Sequence, residues 1–273
     1  MMTKTGSIKP FLKWAGNKYR IIERIQRLLP EGDRLLEPFT GSGAVFLNTD
    51  YESYLLTDNN PDLINIYQHL KQEGPAFISY CKRFFTDKNN NPETYYKWRE
   101  EFNKTKNWRR KAALFLYFNR HGYNGLCRYN MKGGFNVPFG RYKKPYFPAK
   151  EMLAFHHKAQ RAEFKLADFS TCMQQARAGD VIYCDPPYYP LSPSANFTAY
   201  SSGGFNDDQQ RQLAELARDC RQRQIPVLIS NHNTRFTLDV YSDAQVARFK
   251  VRRYISCNGN KRGHAGELLA LFA

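Results

Sequence analysis

The chain is expected to fold as an α/β protein, an open and mostly parallel sheet interrupted by an inserted, mostly helical lobe that carries a β-hairpin. Three observations predict this. Short apolar runs alternate with helix-like patterns over residues 9–71; the alternation gives way to a helical and then glycine-, asparagine- and lysine-rich texture over 75–148; and it returns after 148. Strand–helix alternation on both sides of an irregular insert is what a parallel sheet with a second lobe produces. The expected division is residues 1–71 and 149–273 for the two parts of the sheet domain and 72–148 for the inserted lobe.

Taken in order, Arg34-Leu-Leu-Glu37 and Tyr54-Leu-Leu-Thr57 read as buried strands. Asn59-Asn-Pro61 ahead of Asp62-Leu-Ile-Asn-Ile-Tyr67 is a helix start, because proline is tolerated in a first turn. In the insert a helical pattern over 108–118 runs into a long basic stretch, 119–148, that reads as loop or hairpin. A loop of that length inside a compact domain usually has a task. Beyond it Ala162-Glu-Phe-Lys-Leu166, Val181-Ile-Tyr-Cys184 and Ile225-Pro-Val-Leu-Ile-Ser230 read as strands, with a helix over 207–223. The end, 247–251 and 267–273, reads as an antiparallel edge hairpin around 256–266. Ligands on such sheets sit outside the carboxyl ends of the strands.

Composition narrows the partner. The 273 residues include 41 Lys and Arg against 25 Asp and Glu, a formal charge of +16, which favours a polyanion. The 20 Phe, 18 Tyr and 3 Trp suit unstacked bases as well as a core. The six cysteines form no CxxC pair, which argues against a zinc site or a disulfide framework and fits a reducing cytosol. No apolar run suggests a signal peptide or a bilayer span, so an intracellular protein without a membrane partner is expected.

Three segments fall at strand ends. Glu37-Pro-Phe-Thr-Gly-Ser-Gly43 follows the first strand, and its glycines Gly41 and Gly43 would let backbone approach a ligand. Asp58 ends the second strand, where a carboxylate can accept from ribose hydroxyls, or cap the next helix. Val181-Ile-Tyr-Cys-Asp-Pro-Pro-Tyr188 places Asp185, two stiffening prolines and an aromatic ring just past a buried strand. These last four residues resemble the signature of methyltransferases acting on exocyclic amino groups of nucleic-acid bases. Such an amine is a poor nucleophile because its lone pair is delocalised into the ring. Asp185 and the Pro186 carbonyl, each accepting one N–H, would favour the tetrahedral nitrogen that attacks a methyl sulfonium, with Tyr188 stacking on the extruded base. Cytosine-C5 chemistry would need a nucleophilic cysteine, and the chain has no Pro-Cys dipeptide.

Over residues 9–271 the chain resembles the Dam family of DNA adenine methyltransferases, which modify adenine in GATC. Phe11-Leu-Lys-Trp-Ala-Gly-Asn-Lys18 is similar to the family's N-terminal cofactor segment, which usually ends Gly-Gly-Lys; here Asn17 replaces the second glycine. The resemblance implies a Rossmann-like sheet that binds S-adenosylmethionine and releases S-adenosylhomocysteine, without a metal. It assigns cofactor contacts to Trp14, Lys18, Pro38, Phe39, Gly41, Gly43, Asp58 and Asp185, and to Asp168 and Phe169 beside the cofactor's adenine. Asn119-Arg-His-Gly-Tyr-Asn-Gly-Leu-Cys-Arg-Tyr-Asn130 resembles the family's recognition hairpin. By that likeness Tyr123 intercalates beside the flipped adenine, Asn124 lies next to it, and Arg128 reads guanine, whose O6 and N7 suit its planar fork. Asn136-Val-Pro-Phe-Gly-Arg-Tyr-Lys-Lys-Pro145 resembles the segment that completes readout, with Pro138 and Arg141. Residues 192–200 match a loop that closes over the base. His232 is expected to be hydrogen-bonded scaffolding.

The expected protein is thus a monomer acting on double-stranded DNA in a bacterial cytoplasm or a phage-infected cell. Amino-methylation of cytosine N4, of RNA or of a protein glutamine keeps the fold but changes the substrate; the glutamine enzymes usually carry Asn where this chain has Asp185. A DNA-binding regulator without catalysis is the reading from another class, and the complete Asp185-Pro-Pro-Tyr188 weighs against it.

Overall fold

The computed structural model describes residues 6–191, 205–252 and 264–273. Its strands are β1 (Arg34–Glu37), β2 (Ser53–Asp58), β3 (Ala162–Leu166), β4 (Asp180–Cys184), β5 (Val227–His232), β6 (Gln245–Arg252) and β7 (His264–Phe272), in the order β3-β2-β1-β4-β5-β7-β6. β1 pairs in parallel with β2 and β4, and β4 with β5, so these strands share one carboxyl edge. β7 runs antiparallel between β5 and β6. The fold is the expected mixed α/β architecture. β6 begins two residues before the expected run, and as an edge strand it tolerates Arg248 and Lys250.

The helices are α1 (Ile22–Leu28), α2 (Ala44–Asn48), α3 (Pro61–Glu73), α4 (Pro75–Lys82), α5 (Pro92–Lys104), α6 (Trp108–His121), α7 (Ala149–Ala159), α8 (Phe169–Gln174), α9 (Asp207–Gln222) and α10 (Arg235–Val240). Asparagine opens several of them. Asn60, Asn91, Asn107 and Asn206 each accept a backbone N–H in the first turn of α3, α5, α6 and α9, and Pro61 and Pro92 follow the first two. An N-cap of this kind satisfies a donor that the helix leaves over, worth about 1 kcal/mol.

Two compact units emerge, residues 1–23, 40–50 and 58–166, and residues 24–39, 51–57 and 167–273. The first is centred on α6, in which every residue from Ala112 to His121 is buried. A helix apolar on all sides belongs to the middle of a core. Around Phe155 of α7 the rings of Phe11 and Tyr67 meet it at 5.1 and 4.7 Å, which ties the N-terminal segment to α3.

In the second unit β4 is buried at every position, as a strand covered on both faces must be. Leu213, Ala214, Ala217 and Cys220 form the buried stripe of α9 against Ile182, Ile229 and Phe272. Register is set at the amino end: Arg34 and Asp180 are paired Cα partners on β1 and β4. The Arg34 Nη2 and Nε donate to the two Asp180 oxygens at 2.7 and 2.9 Å. A two-pronged bond of this kind fixes direction as well as distance.

Candidate active site and nucleic-acid interface

In the first unit the cofactor-type residues gather around one carboxylate. Asp58 Oδ2 accepts the Gly41 N–H at 3.1 Å and Oδ1 accepts the Asn60 N–H at 3.0 Å. Burial pushes its pKa up, and the N–H bonds from Gly41, Asn60 and Asn59 pull against that. The helix-capping role open to Asp58 falls instead to Asn60, whose Oδ1 accepts from Asp62 and Leu63 at 3.0 and 3.2 Å. Gly41 sits at φ +49°, and a Cβ there would meet the Trp14 indole at 3.0 Å, so this turn requires glycine. The Tyr67 hydroxyl donates to the Gly41 carbonyl at 2.5 Å. Gly43, at φ +69°, opens α2.

The departure at Asn17 is harmless to this loop. Gly16 carries the left-handed angle, φ +75°, while Asn17 adopts φ −50° and its side chain caps the following turn by accepting from Tyr19 N at 2.8 Å. Lys18 is buried, its ammonium donating to the Gly16 carbonyl at 2.5 Å.

In the second unit Pro38 is buried and its carbonyl accepts from Thr57 Oγ1 at 3.3 Å. Phe39 stacks on Phe169 with centroids 5.5 Å apart, and Phe205 closes the triad edge-on to both. Asp168 is engaged as the N-cap of α8: it accepts from Thr171 N and Ser170 Oγ, each at 2.8 Å, which hold its pKa low. These bonds fix the backbone at the start of α8, where Phe169 stands.

Asp185 lies one residue past β4 and is half-buried. Behind it the Tyr183 hydroxyl and Ser230 Oγ share a hydrogen bond of 2.6 Å. Burial first, and the Asp185 charge second, keep the Tyr183 and Tyr188 phenols neutral, with pKa values pushed well up. The Tyr188 ring meets the His232 ring edge-on at 4.8 Å, and Tyr189 stacks on Phe236 at 4.1 Å. His232 Nδ1 bonds the Tyr189 carbonyl at 2.6 Å, the scaffolding role expected of it. Cys184 is fully buried and its thiol pKa is pushed well up by that burial, which disqualifies it as a nucleophile.

The segment expected to recognise DNA divides into exposed and buried residues. Tyr123, Asn124, Arg128, Pro138 and Arg141 are all exposed, Tyr123 by 52%, while Phe135 and Val137 between them are buried. The expected hairpin is a chain reversal held by two isolated bridges, Gly122 with Phe139 and Tyr129 with Phe135, and not a continuous ladder. Side chains supply the rest. Asn119 accepts from Lys13 N at 2.9 Å and donates to the carbonyls of Lys13 and Gly125 at 2.7 and 3.3 Å. Tyr129 donates to Asp62 Oδ2 at 2.7 Å, and Asn60 Nδ2 reaches Cys127 Sγ at 3.4 Å, so both neighbours of Arg128 are anchored to the start of α3. Lys111 Nζ lies 2.9 Å from the other Asp62 oxygen, close enough for charge pairing but angled away from a hydrogen bond. Arg128 itself donates from Nε to Asn136 Oδ1 at 2.8 Å and from Nη2 to the Asn136 carbonyl at 3.3 Å. Neither bond uses Nη1.

Reasoning from sequence missed Asn60, Asp62, Tyr129, Asn136, Gln210 and Asn231, which hold the expected site residues in place. The available signal was polar residues at a strand's carboxyl end, Asn231 within β5 and Asn60 two residues past β2. Among the described residues no three His, Cys, Asp or Glu side chains form a metal-type cluster, and no helix is long and apolar enough to cross a membrane.

Residues 14–255 match the D12 class N6 adenine-specific DNA methyltransferases. The DNA adenine methylase of Vibrio cholerae serotype O1 is 54% identical over 265 residues, 97% of this chain and 96% of that protein. That of Escherichia coli K12 is 52% identical over 264 residues, covering 97% and 95%, and that of Serratia marcescens 51% over 265, covering 97% and 98%. The chain therefore belongs to the D12 class of N6 adenine-specific DNA methyltransferases and is an enzyme of that kind.

Proposed function

We propose that this enzyme transfers the methyl group of S-adenosylmethionine to N6 of an adenine in double-stranded DNA, within GATC, with the adenine turned out of the stack, and that S-adenosylhomocysteine is released. The observation that carries the reading is the Asp185-Pro-Pro-Tyr188 turn at the carboxyl end of β4, with neutral phenols around its one carboxylate. Asp185 and the Pro186 carbonyl accept the two amine protons and direct the nitrogen lone pair out of the ring plane. Tyr188 supplies the face on which the base rests. Catalysis of this kind is positioning and electrostatics.

The cofactor, when bound, supplies a methyl group already activated by its sulfonium. The residues present fit it. Gly41 leaves the space beside Trp14 that a Cβ would fill. Asp58 accepts backbone N–H groups from Gly41, Asn60 and Asn59, and its two oxygens keep acceptor capacity for a ribose hydroxyl. By the family likeness Lys18, Pro38, Phe39, Gly43, Asp168, Phe169 and Asp185 are assigned to the cofactor as well. Exposed Tyr123, Asn124, Arg128, Pro138 and Arg141 face the duplex in this reading, and the charge of +16 supports a DNA backbone as partner. A monomer working in the cytoplasm of a bacterium, or of a cell infected by phage, is the form proposed.

The test is to incubate the protein with labelled S-adenosylmethionine and a duplex library, then map the modified atom. Label on adenine N6 in GATC, abolished by Asp185→Ala with duplex binding retained, is the expected result. Wild-type turnover by Asp185→Ala would refute the assignment.

A further inference from the structure

The backbone on either side of Tyr188 is gripped from two other elements. Gln210 of α9 donates from Nε2 to the Pro187 carbonyl at 2.9 Å. Asn231 of β5 accepts the Tyr189 N–H on Oδ1 at 2.9 Å, together with the His232 N–H at 2.9 Å. The two amides are also bonded to each other: Asn231 Nδ2 donates to Gln210 Oε1 at 3.0 Å and to the Tyr241 hydroxyl at 3.1 Å. Asn231 is fully buried and Gln210 is 1% exposed.

The partners dictate how each amide is turned. Two backbone N–H groups require Asn231 to present its oxygen to the loop, which sends its NH2 toward Gln210. Gln210 must then present its oxygen to Asn231, and its NH2 is what remains for Pro187. The interlock has one self-consistent arrangement, and disturbing either member strands a buried donor or acceptor. The bond from Gln210 turns the Pro187 carbonyl toward α9 and so fixes the peptide plane that joins Pro187 to Tyr188.

We propose that Gln210 and Asn231 are positioning residues for methyl transfer, an interlocked buried amide pair that fixes the backbone on either side of Tyr188 and with it the ring on which the base rests. This rests on the reading of Asp185-Pro-Pro-Tyr188 as the site of chemistry. Neither amide touches the base; they act through the backbone of the turn. A ring or carbonyl displaced by about 1 Å costs on the order of 100-fold in rate, whereas affinity for the duplex depends on the recognition segment.

The test uses the full chain with a GATC duplex. In Gln210→Met, which keeps length and volume, the single-turnover rate should fall about 10- to 100-fold. The KM for duplex and the Kd for cofactor should stay within about threefold of wild type, a range too small to explain such a rate loss. Fluorescence of 2-aminopurine at the target position reports the environment of the turned-out base, and its intensity in the complex should change. A wild-type rate, or a loss matched by the unfolded fraction in a thermal melt, overturns the proposal. Should Gln210→Met fail to fold, Gln210→Glu keeps the acceptor for Asn231 and carries a donor only when protonated. Its rate relative to wild type should rise as pH falls from 8 to 6, and a ratio that does not rise overturns the proposal. Asp185→Ala in the same assay separates the two levels. If Asp185→Ala is dead and Gln210→Met is as fast as wild type, this inference alone fails; if Asp185→Ala turns over, the reading beneath it fails.

Discussion

Acid should weaken this protein well above the range where carboxylates protonate, and the cause is one histidine at the base of the recognition segment. His121 ends α6 and is 1% exposed. Its ring stacks on Tyr117 with centroids 3.8 Å apart and meets Phe85 edge-on at 5.0 Å. Its Nδ1 bonds the Tyr117 carbonyl at 2.9 Å, and its own carbonyl accepts the Gly140 N–H at 2.8 Å, which closes the chain reversal. Burial drives its pKa down to about 4 from an ordinary 6.5; the Tyr117 carbonyl resists the shift and the Lys13 charge adds to it. The unfolded chain binds a proton there near pH 6.5 and the folded chain does not until about pH 4. The stabilisation is therefore complete above pH 6.5 and is lost as pH falls toward 4. At 1.36 kcal/mol per pH unit the full effect is about 3 kcal/mol, of which about 2.5 is gone by pH 4.5. His121→Phe keeps the stacked ring and removes the titration. Urea unfolding followed by tryptophan fluorescence at a series of pH values between 7.5 and 4.5 should show the wild type losing about 2.5 kcal/mol more than the variant. A difference between the two proteins that stays constant across that range would refute the assignment.

Two further outcomes concern the recognition segment. Arg128→Ala should cost about 1–3 kcal/mol of discrimination against duplexes altered at the guanine it reads, measured as kcat/KM for cognate and substituted sites; unchanged ratios would remove it from readout. Tyr129→Phe deletes a hydroxyl bonded to the buried Asp62 carboxylate, a loss of about 1.5–3 kcal/mol in unfolding free energy by denaturant titration. A neutral result would mean that Lys111 alone satisfies Asp62.

The strands were legible as continuous apolar runs where both faces are buried, as in β4, and as alternation at the edge strand β3, whose burial alternates. Arg34–Glu37 and Ala162–Leu166 appear with the expected bounds, and β4 begins one residue earlier because Asp180 pairs with Arg34. β5 is displaced by two residues relative to its apolar run. Pro226 delays its start, and pairing with β7 carries polar Ser230, Asn231 and His232 into the strand. The recognition segment was legible as irregular but not as to what holds it. Its bonds come from side chains distant in sequence, such as Asn119 to Lys13 across 106 residues, and no local period records them.

The site divides in the same way, and the division has a physical cause. Residues that would meet a ligand sit on turns of unusual chemistry, Gly41, Asp185 and Pro186 among them, and unusual turns are visible in a sequence. Residues that hold them are ordinary amides and carboxylates whose importance comes from burial. The stretch Asp58-Asn-Asn-Pro-Asp62 contains both kinds. Its first residue offers the carboxylate beside Gly41, while Asn60 and Asp62 grip Cys127 and Tyr129 on either side of Arg128. One short backbone segment thus holds both the Asp58 carboxylate and the two neighbours of Arg128. Its geometry is over-determined, by the Gly41 bond to Asp58 at one end and the N-cap of α3 at the other. A segment pinned at both ends has little freedom to shift, so the placement of Asp58 and that of Arg128 are coupled through it.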